Sequence, residues 1–215
     1  MGRSVFESKR IDPESLSPIE DYILLKIPDR NRVSEAGLLL VGGEKTARLI
    51  GEVVAIGPGA TDPDTGARIP SVFHIGDWAL CMDYMGQEMN FDGHRYQMVR
   101  EHGFWAKCQV VQAERLELTS CMPLNDYVLL KREENETLEG GRIILNPDRH
   151  AAGAWGKVIA VGNGRRMPNG ERIGVAVRPQ DRVAFIRHAG AVIKIRKEEY
   201  RLVSEGDIYG VCEDE

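Results

Sequence analysis

The chain has 215 residues and a formal net charge of −5, and its 28 Lys and Arg residues are scattered. This argues against a nucleic-acid binder, which needs a basic patch. No run approaches the roughly 18 apolar residues of a membrane span, and there is no apolar secretory leader. The four cysteines lack C-x-x-C spacing, so a reduced, cytoplasmic protein is the simplest expectation.

Residues 1–17 are polar and read as a flexible extension. It carries acids among its bases, which a transit peptide would avoid, and Phe6 stands where a myristoylation signal wants Ser or Thr. The extension ends at Pro18, where P-I-E-D-Y-I-L-L-K begins. Nearly the same words return at Pro123 to Lys131 as P-L-N-D-Y-V-L-L-K, 105 residues on. At the same offset G-E-V-V-A-I-G (Gly51 to Gly57) is answered by G-K-V-I-A-V-G (Gly156 to Gly162). At an offset of 104, Asp77 is answered by Asp181, Tyr96 to Glu101 by Tyr200 to Glu205, and Cys108 by Cys212. One residue is therefore lost between Gly162 and Asp181. A period this long exceeds the roughly 20–50 residues of a solenoid repeat and matches a whole small domain. The resulting division is an extension (1–17), a first domain (18–110), a connector (111–122) and a second domain (123–215). Units this small bury modest cores and often associate with copies of themselves.

In each unit the first strand, Asp21 to Ile27 or Asp126 to Lys131, packs β-branched and aromatic residues after a proline. Long polar, glycine-bearing segments follow, Asp29 to Ile50 and Glu133 to Trp155. Loops longer than about 12–15 residues are usually functional or disordered. Each carries an aliphatic triplet out of character with its surroundings, in A-G-L-L-L (Ala36 to Leu40) and G-G-R-I-I-L (Gly140 to Leu145). On pattern alone such a triplet is equally a strand packed into a core.

Strands at Glu52 to Ile56 and Lys157 to Val161 run into Gly57-Pro58-Gly59 and Gly162-Asn163-Gly164. These complete neither a phosphate loop nor a dinucleotide fingerprint, so turn chemistry explains them. Asp62 to Gly66 has too few acids for a calcium loop and reads as a polar turn. Its counterpart holds Asn169-Gly170, a strong hairpin signal. Further strands are expected at the ends of His74 to Leu80 and Arg178 to Phe185, at Tyr96 to Val99 with Phe104 to Val110, and at Tyr200 to Val203 with Ile208 to Cys212. In the connector, Ala113 to Leu118 fits one helical turn or a strand equally. Many short strands between Gly, Pro and Asp turns, without an amphipathic helix, indicate an all-β chain of two small barrels.

No catalytic constellation emerges. The five histidines are dispersed, no nucleophile elbow is present, and no metal spacing occurs, so neither cofactor nor metal is expected. Two long loops, each with an apolar triplet, are the signature of a binding protein.

With these segments on the page, the chain resembles the small co-chaperonins of the GroES type, the lids of the chaperonin folding chamber. Both units carry the resemblance. The second has P-L-N-D-Y-V-L-L-K, G-G with an aliphatic triplet, G-K-V-I-A-V-G-N-G-R, an N-G-E hairpin, Q-D-R-V-A-F and E-E-Y-R-L-V-S-E-G-D-I-Y-G-V in the family's order. The first keeps G-E-V-V-A-I-G, I-G-D and Tyr84 to Glu101. The tandem form is similar to the double-domain co-chaperonin of chloroplasts.

The resemblance implies two GroES-like barrels, each with a long mobile loop and a roof hairpin (Gly59 to Ile69 and Gly164 to Ile173). It implies that Leu38, Leu39 and Leu40, and Ile143, Ile144 and Leu145, enter an apolar groove on a GroEL-type double ring, with Gly37, Gly140 and Gly141 turning the chain ahead of them. Tyr84 falls near the chamber-facing part of the barrel, where enclosed unfolded proteins would meet it. Copy one has Ala36-Gly37 where two glycines are usual, and copy two inserts Arg142 before its triplet. Either both loops bind with altered strength, or one alone is productive. Arg165 and Arg166 confine any acidic roof to Asp62 and Asp64. Two barrels per chain meet a sevenfold partner, so the expected oligomer is a tetramer or a mixed ring with a single-domain co-chaperonin. Two other readings compete. One is a structural or assembly protein of a phage or virion, whose triplets pack internally. The other is a dehydrogenase-type catalytic domain, which would require zinc and a dinucleotide fold.

Overall fold

The computed structural model describes residues 16–28, 48–82, 85–91, 93–111, 118–133, 154–167, 171–196 and 198–212. Its first unit consists of β1 (Tyr22–Ile27), β2 (Arg48–Ile56), β3 (Ala60–Thr61), β4 (Arg68–Ile69), β5 (Trp78–Met82), β6 (Gln87–Phe91), β7 (His94–Arg100) and β8 (Phe104–Val110). After β9 (Leu118–Pro123), the second unit repeats the series as β10 (Tyr127–Arg132), β11 (Ala154–Val161), β12 (Arg165–Arg166), β13 (Arg172–Ile173), β14 (Arg182–Phe185), β15 (Ala191–Ile195), β16 (Glu198–Ser204) and β17 (Ile208–Cys212). Short 3-10 turns at Glu101–Gly103 and Glu205–Asp207 join β7 to β8 and β16 to β17. The chain is all-β, two small barrels in tandem.

The repeat extends to the pairing of the strands, with β9 an added neighbour in the first sheet. The sheets run β6-β7-β1-β2-β5-β8-β9 and β15-β16-β10-β11-β14-β17, every neighbour antiparallel. Even the irregularities recur. The register slips at Leu24/Leu25 and again at Leu129/Leu130, and at Leu80/Cys81 and again at Ala184/Phe185. Bulges that keep their place are built-in bends, here helping each sheet to curl round its core.

Ile23, Leu25, Val53, Phe73, Val99 and Phe104 fill the first core, with Phe73 and Phe104 in ring contact at 4.8 Å. Val128, Leu130, Val158, Val183, Phe185 and Val203 fill the second. Each fully buried side chain of this kind contributes about 1.5–3 kcal/mol. A third cluster lies between the units: Leu129, on the opposite face of β10 from Val128 and Leu130, joins Ile193, Ile195 and Leu202 against Ile50, Leu80 and Trp105. β9 completes this seam. It pairs with β8, and Leu124 just beyond it enters the first core while its N–H donates to the Trp105 carbonyl at 2.9 Å.

Some expectations need adjustment. β2 begins at Arg48 and β11 at Ala154, so both strands start earlier than the pattern placed them and the long segments are correspondingly shorter. β6 and β15 were not anticipated. Of the connector, Leu118 onward is strand.

Candidate functional site

The strands that carry the two long segments are each paired on both sides. β1 and β2 lie side by side with Lys26 opposite Glu52, and β10 and β11 with Lys131 opposite Lys157. The segments between them, 29–47 and 134–153, lie outside the described residues, and with them Gly37, Leu38, Leu39, Leu40, Gly140, Gly141, Ile143, Ile144 and Leu145; Tyr84 does too.

The two platforms differ chemically. At the second, the Glu133 N–H donates to the Trp155 carbonyl at 3.0 Å, and Arg182 Nε donates to Glu133 Oε2 at 2.8 Å while its guanidinium lies 5.1 Å from the Trp155 ring centroid. Beside them Lys131 Nζ donates to Glu198 Oε2 at 2.9 Å, and Tyr200 donates to the same oxygen. The Lys131 ammonium, and then the Tyr200 hydroxyl, hold Glu198 below the usual carboxylate range. At the first platform Trp78 stands in place of Arg182 and Ile50 in place of Trp155, and both belong to the apolar seam. The strands flanking one long segment therefore form a polar, cation-capped base, and those flanking the other belong to the joint between the units.

At the opposite turns, β3–β4 and β12–β13 are the expected hairpins. Their first glycines take positive φ, +101° at Gly59 and +90° at Gly164, and a Cβ there would run into the carbonyl oxygens of Ile69 and Ile173. Arg68 and Arg172 donate back to the Gly59 and Gly164 carbonyls at 3.0 and 2.8 Å. Asp62 is committed to its own turn, accepting from the N–H groups of Asp64 and Thr65 and from the Thr65 hydroxyl. The Thr65 hydroxyl bond, chiefly, keeps the Asp62 carboxyl below its ordinary value. In the second unit Arg165 pairs with Asp126 and Arg166 reaches across to Glu101 of the first unit, so carboxylates balance both arginines. Burial, and then the neighbouring Arg166, push the Arg172 guanidinium down.

Among the described residues, no three His, Cys, Asp or Glu side chains gather as a metal site, and no helix is long and apolar enough to cross a membrane. What the geometry provides is a doubled frame: two strand pairs in one register, joined by an apolar seam.

A family model described as the chaperonin 10 kDa subunit matches the chain twice, over residues 15–108 and 120–212. The chain belongs to the chaperonin 10 family. Co-chaperonin GroES of Marinobacter nauticus is 44% identical over 91 residues, which cover 42% of this chain and 96% of that protein. The Alcanivorax borkumensis co-chaperonin GroES is 40% identical over 95 residues (44% and 99%), and that of Thermus thermophilus 40% over 95 (44% and 94%). Each of these relatives thus aligns almost end to end with less than half of the chain, while the family model recurs in both halves. Family membership supports a co-chaperonin role and indicates no catalytic family.

Proposed function

We propose that this chaperonin 10 member is a cytoplasmic co-chaperonin that caps a GroEL-type double ring and assists folding of the proteins enclosed beneath it. The observation that carries the reading is the family match over both units, each of which holds a long segment between equivalent paired strands. The triplets Leu38–Leu40 and Ile143–Leu145 are the contacts, placed in apolar grooves of the chaperonin's apical domains. A few buried aliphatic side chains contribute about 1.5–3 kcal/mol each, less the cost of fixing the chain that bears them. One loop therefore binds weakly. An oligomer presenting several loops binds by avidity and releases when the partner changes shape with its nucleotide. We take that oligomer to be a tetramer of eight barrels, with a mixed ring including a single-domain co-chaperonin as the second arrangement. Tyr84 faces the enclosed chain.

Co-migration with a purified double-ring chaperonin on size exclusion, with ATP, with ADP and without nucleotide, tests the proposal. Nucleotide-dependent binding that disappears when Leu39→Asp and Ile144→Asp are combined is the expected result. Failure to bind under all three conditions, with the chaperonin competent toward its own lid, would overturn it.

A further inference from the structure

Two free thiols meet at the joint between the units. Cys108 lies in β8, the last strand of the first unit, and Cys121 in β9, the strand that leads into β10; they stand directly opposite each other. Their sulfur atoms are 3.9 Å apart, with the Cys108 thiol donating to Cys121. Both side chains are buried in the seam, whereas Cys81 belongs to the first core. The register shows what kind of pair they form. The Leu124 N–H donates to the Trp105 carbonyl, so Trp105 and Leu124 are a hydrogen-bonded pair. Antiparallel pairs alternate, which makes Ala106 and Pro123 a non-hydrogen-bonded pair, in keeping with proline's missing N–H, and Cys108 and Cys121 another. In such a pair the Cα atoms stand about 4.5 Å apart and the side chains are at their closest. A disulfide spans Cα separations of roughly 4.4–6.8 Å, so the two strands already stand at a bridging distance.

The sequence holds this pair once. The equivalent of Cys108 is Cys212, but the equivalent of Cys121 is Leu16. The place is also distinctive in the fold. Trp105, in the strand that β9 covers, is 5% exposed, and Tyr209, its equivalent in the edge strand β17, is 60% exposed. The pairing of β8 with β9 ties the chain entering the second unit to the sheet of the first, and β9 continues into β10, which flanks the second long segment.

We propose that Cys108 and Cys121 form a redox clasp, a cross-strand disulfide that closes when the chain folds in the presence of a low-molecular-weight disulfide such as oxidised glutathione. One cysteine gives up its proton, attacks the small disulfide and releases half of it as a thiol; the second cysteine gives up its proton and displaces the other half. One disulfide is exchanged for another. The two cysteines lose two electrons, the small disulfide gains them, and the two protons leave on the two released thiols. Folding is the moment at which the clasp sets. In the packed seam both sulfurs are buried, and the bond to Cys121, and then burial, push the Cys108 thiol up, away from the thiolate that exchange requires. A chain folded under reducing conditions keeps two thiols, a chain folded with the oxidant keeps the bridge, and the closed seam shields either from later exchange. The bridge holds β9 on β8 and so fixes the strands of the second long segment to the first unit's sheet. The clasp is independent of the co-chaperonin reading, and its test uses no chaperonin.

The full-length protein, unfolded in urea, reduced and freed of reductant, is refolded over a series of ratios of oxidised to reduced glutathione. It is then quenched by alkylation in urea and mapped by mass spectrometry without reduction. A peptide linked through Cys108 and Cys121 should accumulate as the ratio rises, with Cys81 and Cys212 outside the link, in a product that keeps the near-ultraviolet circular dichroism of the reduced protein. Cys108→Ala and Cys121→Ala should each leave no such link. Protein folded first and then given the oxidant should gain the link only after urea unfolding. In the linked protein, amide exchange in β8 and β9 should be about a hundredfold slower than in the reduced protein, because a bridge closing a loop of this length restricts the opened chain by that order. Both thiols free at every ratio, cysteines joined in other pairs or in a misfolded fraction alone, or equal exchange in β8 and β9 with and without the link would each overturn the proposal.

Discussion

The indole of Trp105 stacks on the ring of Tyr127, centroids 5.1 Å apart and planes 26° from parallel, joining the last strand of one unit to the first strand of the next. Both residues also pack in the apolar seam. Truncation of a buried aromatic side chain costs about 3–5 kcal/mol, so Trp105→Ala should lower the urea unfolding free energy by that order. Tyr209→Ala, at the exposed equivalent position, should change the isolated chain's stability by less than about 0.5 kcal/mol. Equal losses from the two substitutions would contradict the difference in burial.

Gln180 and Gly76 occupy the same turn in the two units, and both have positive φ, 82° and 90°. The turns are otherwise alike: Asp77 and Asp181 accept the N–H groups of His74 and Arg178. A side chain held in the left-handed region costs roughly 1–2 kcal/mol, part of which glycine returns as unfolded-chain entropy. Gln180→Gly should therefore stabilise the protein by about 0.5–1 kcal/mol, and Gly76→Gln should destabilise it, both measured by thermal or urea unfolding.

The depressed Asp62 carboxyl gives the first hairpin a pH dependence of defined sign. Its contribution is complete above the ordinary carboxylate value of 3.8 and is lost as pH falls through the lower value of the folded state. Thr65→Val removes the largest cause, so the Asp62 carboxyl resonance should titrate closer to its ordinary value. An unchanged midpoint would assign the effect to the backbone donors alone.

Much of the frame was readable because the chain states it twice: a segment ambiguous alone gains weight when its counterpart 105 residues away reads the same way. Ten of the strands and both hairpins follow from short apolar runs between turn residues. β6 was hidden because Gln87, Glu88 and Asn90 are polar and exposed on an outer strand, which leaves no clean alternation. The seam was hidden for a different reason. Trp105 and Tyr209 are both aromatic at equivalent positions, and which one is covered depends on the neighbour that the fold brings, a quantity no local pattern encodes. The two triplets stood out as apolar words in polar segments, but residues 38–40 and 143–145 lie outside the described structure, so the role proposed for them rests on the resemblance.

The thiols should divide by location. Cys81, Cys108 and Cys121 are buried, and the Cys108 thiol is pushed well above its ordinary value by its bond to Cys121 and by burial. Cys212 is partly exposed. One equivalent should react rapidly with iodoacetamide in the folded protein, mapping to Cys212, and the other three only on unfolding. Rapid labelling of Cys108 would contradict the packed seam.

Hydrogen–deuterium exchange with mass spectrometry, comparing the free chain with the chain bound to a double-ring chaperonin in ATP, tests the central claim most directly. The account predicts new protection in peptides covering residues 29–47 and 134–153, centred on Leu38–Leu40 and Ile143–Leu145, with the barrel strands little changed. Complex formation that leaves both segments unprotected, or protects only the barrel surfaces, would contradict a lid that binds through its loops.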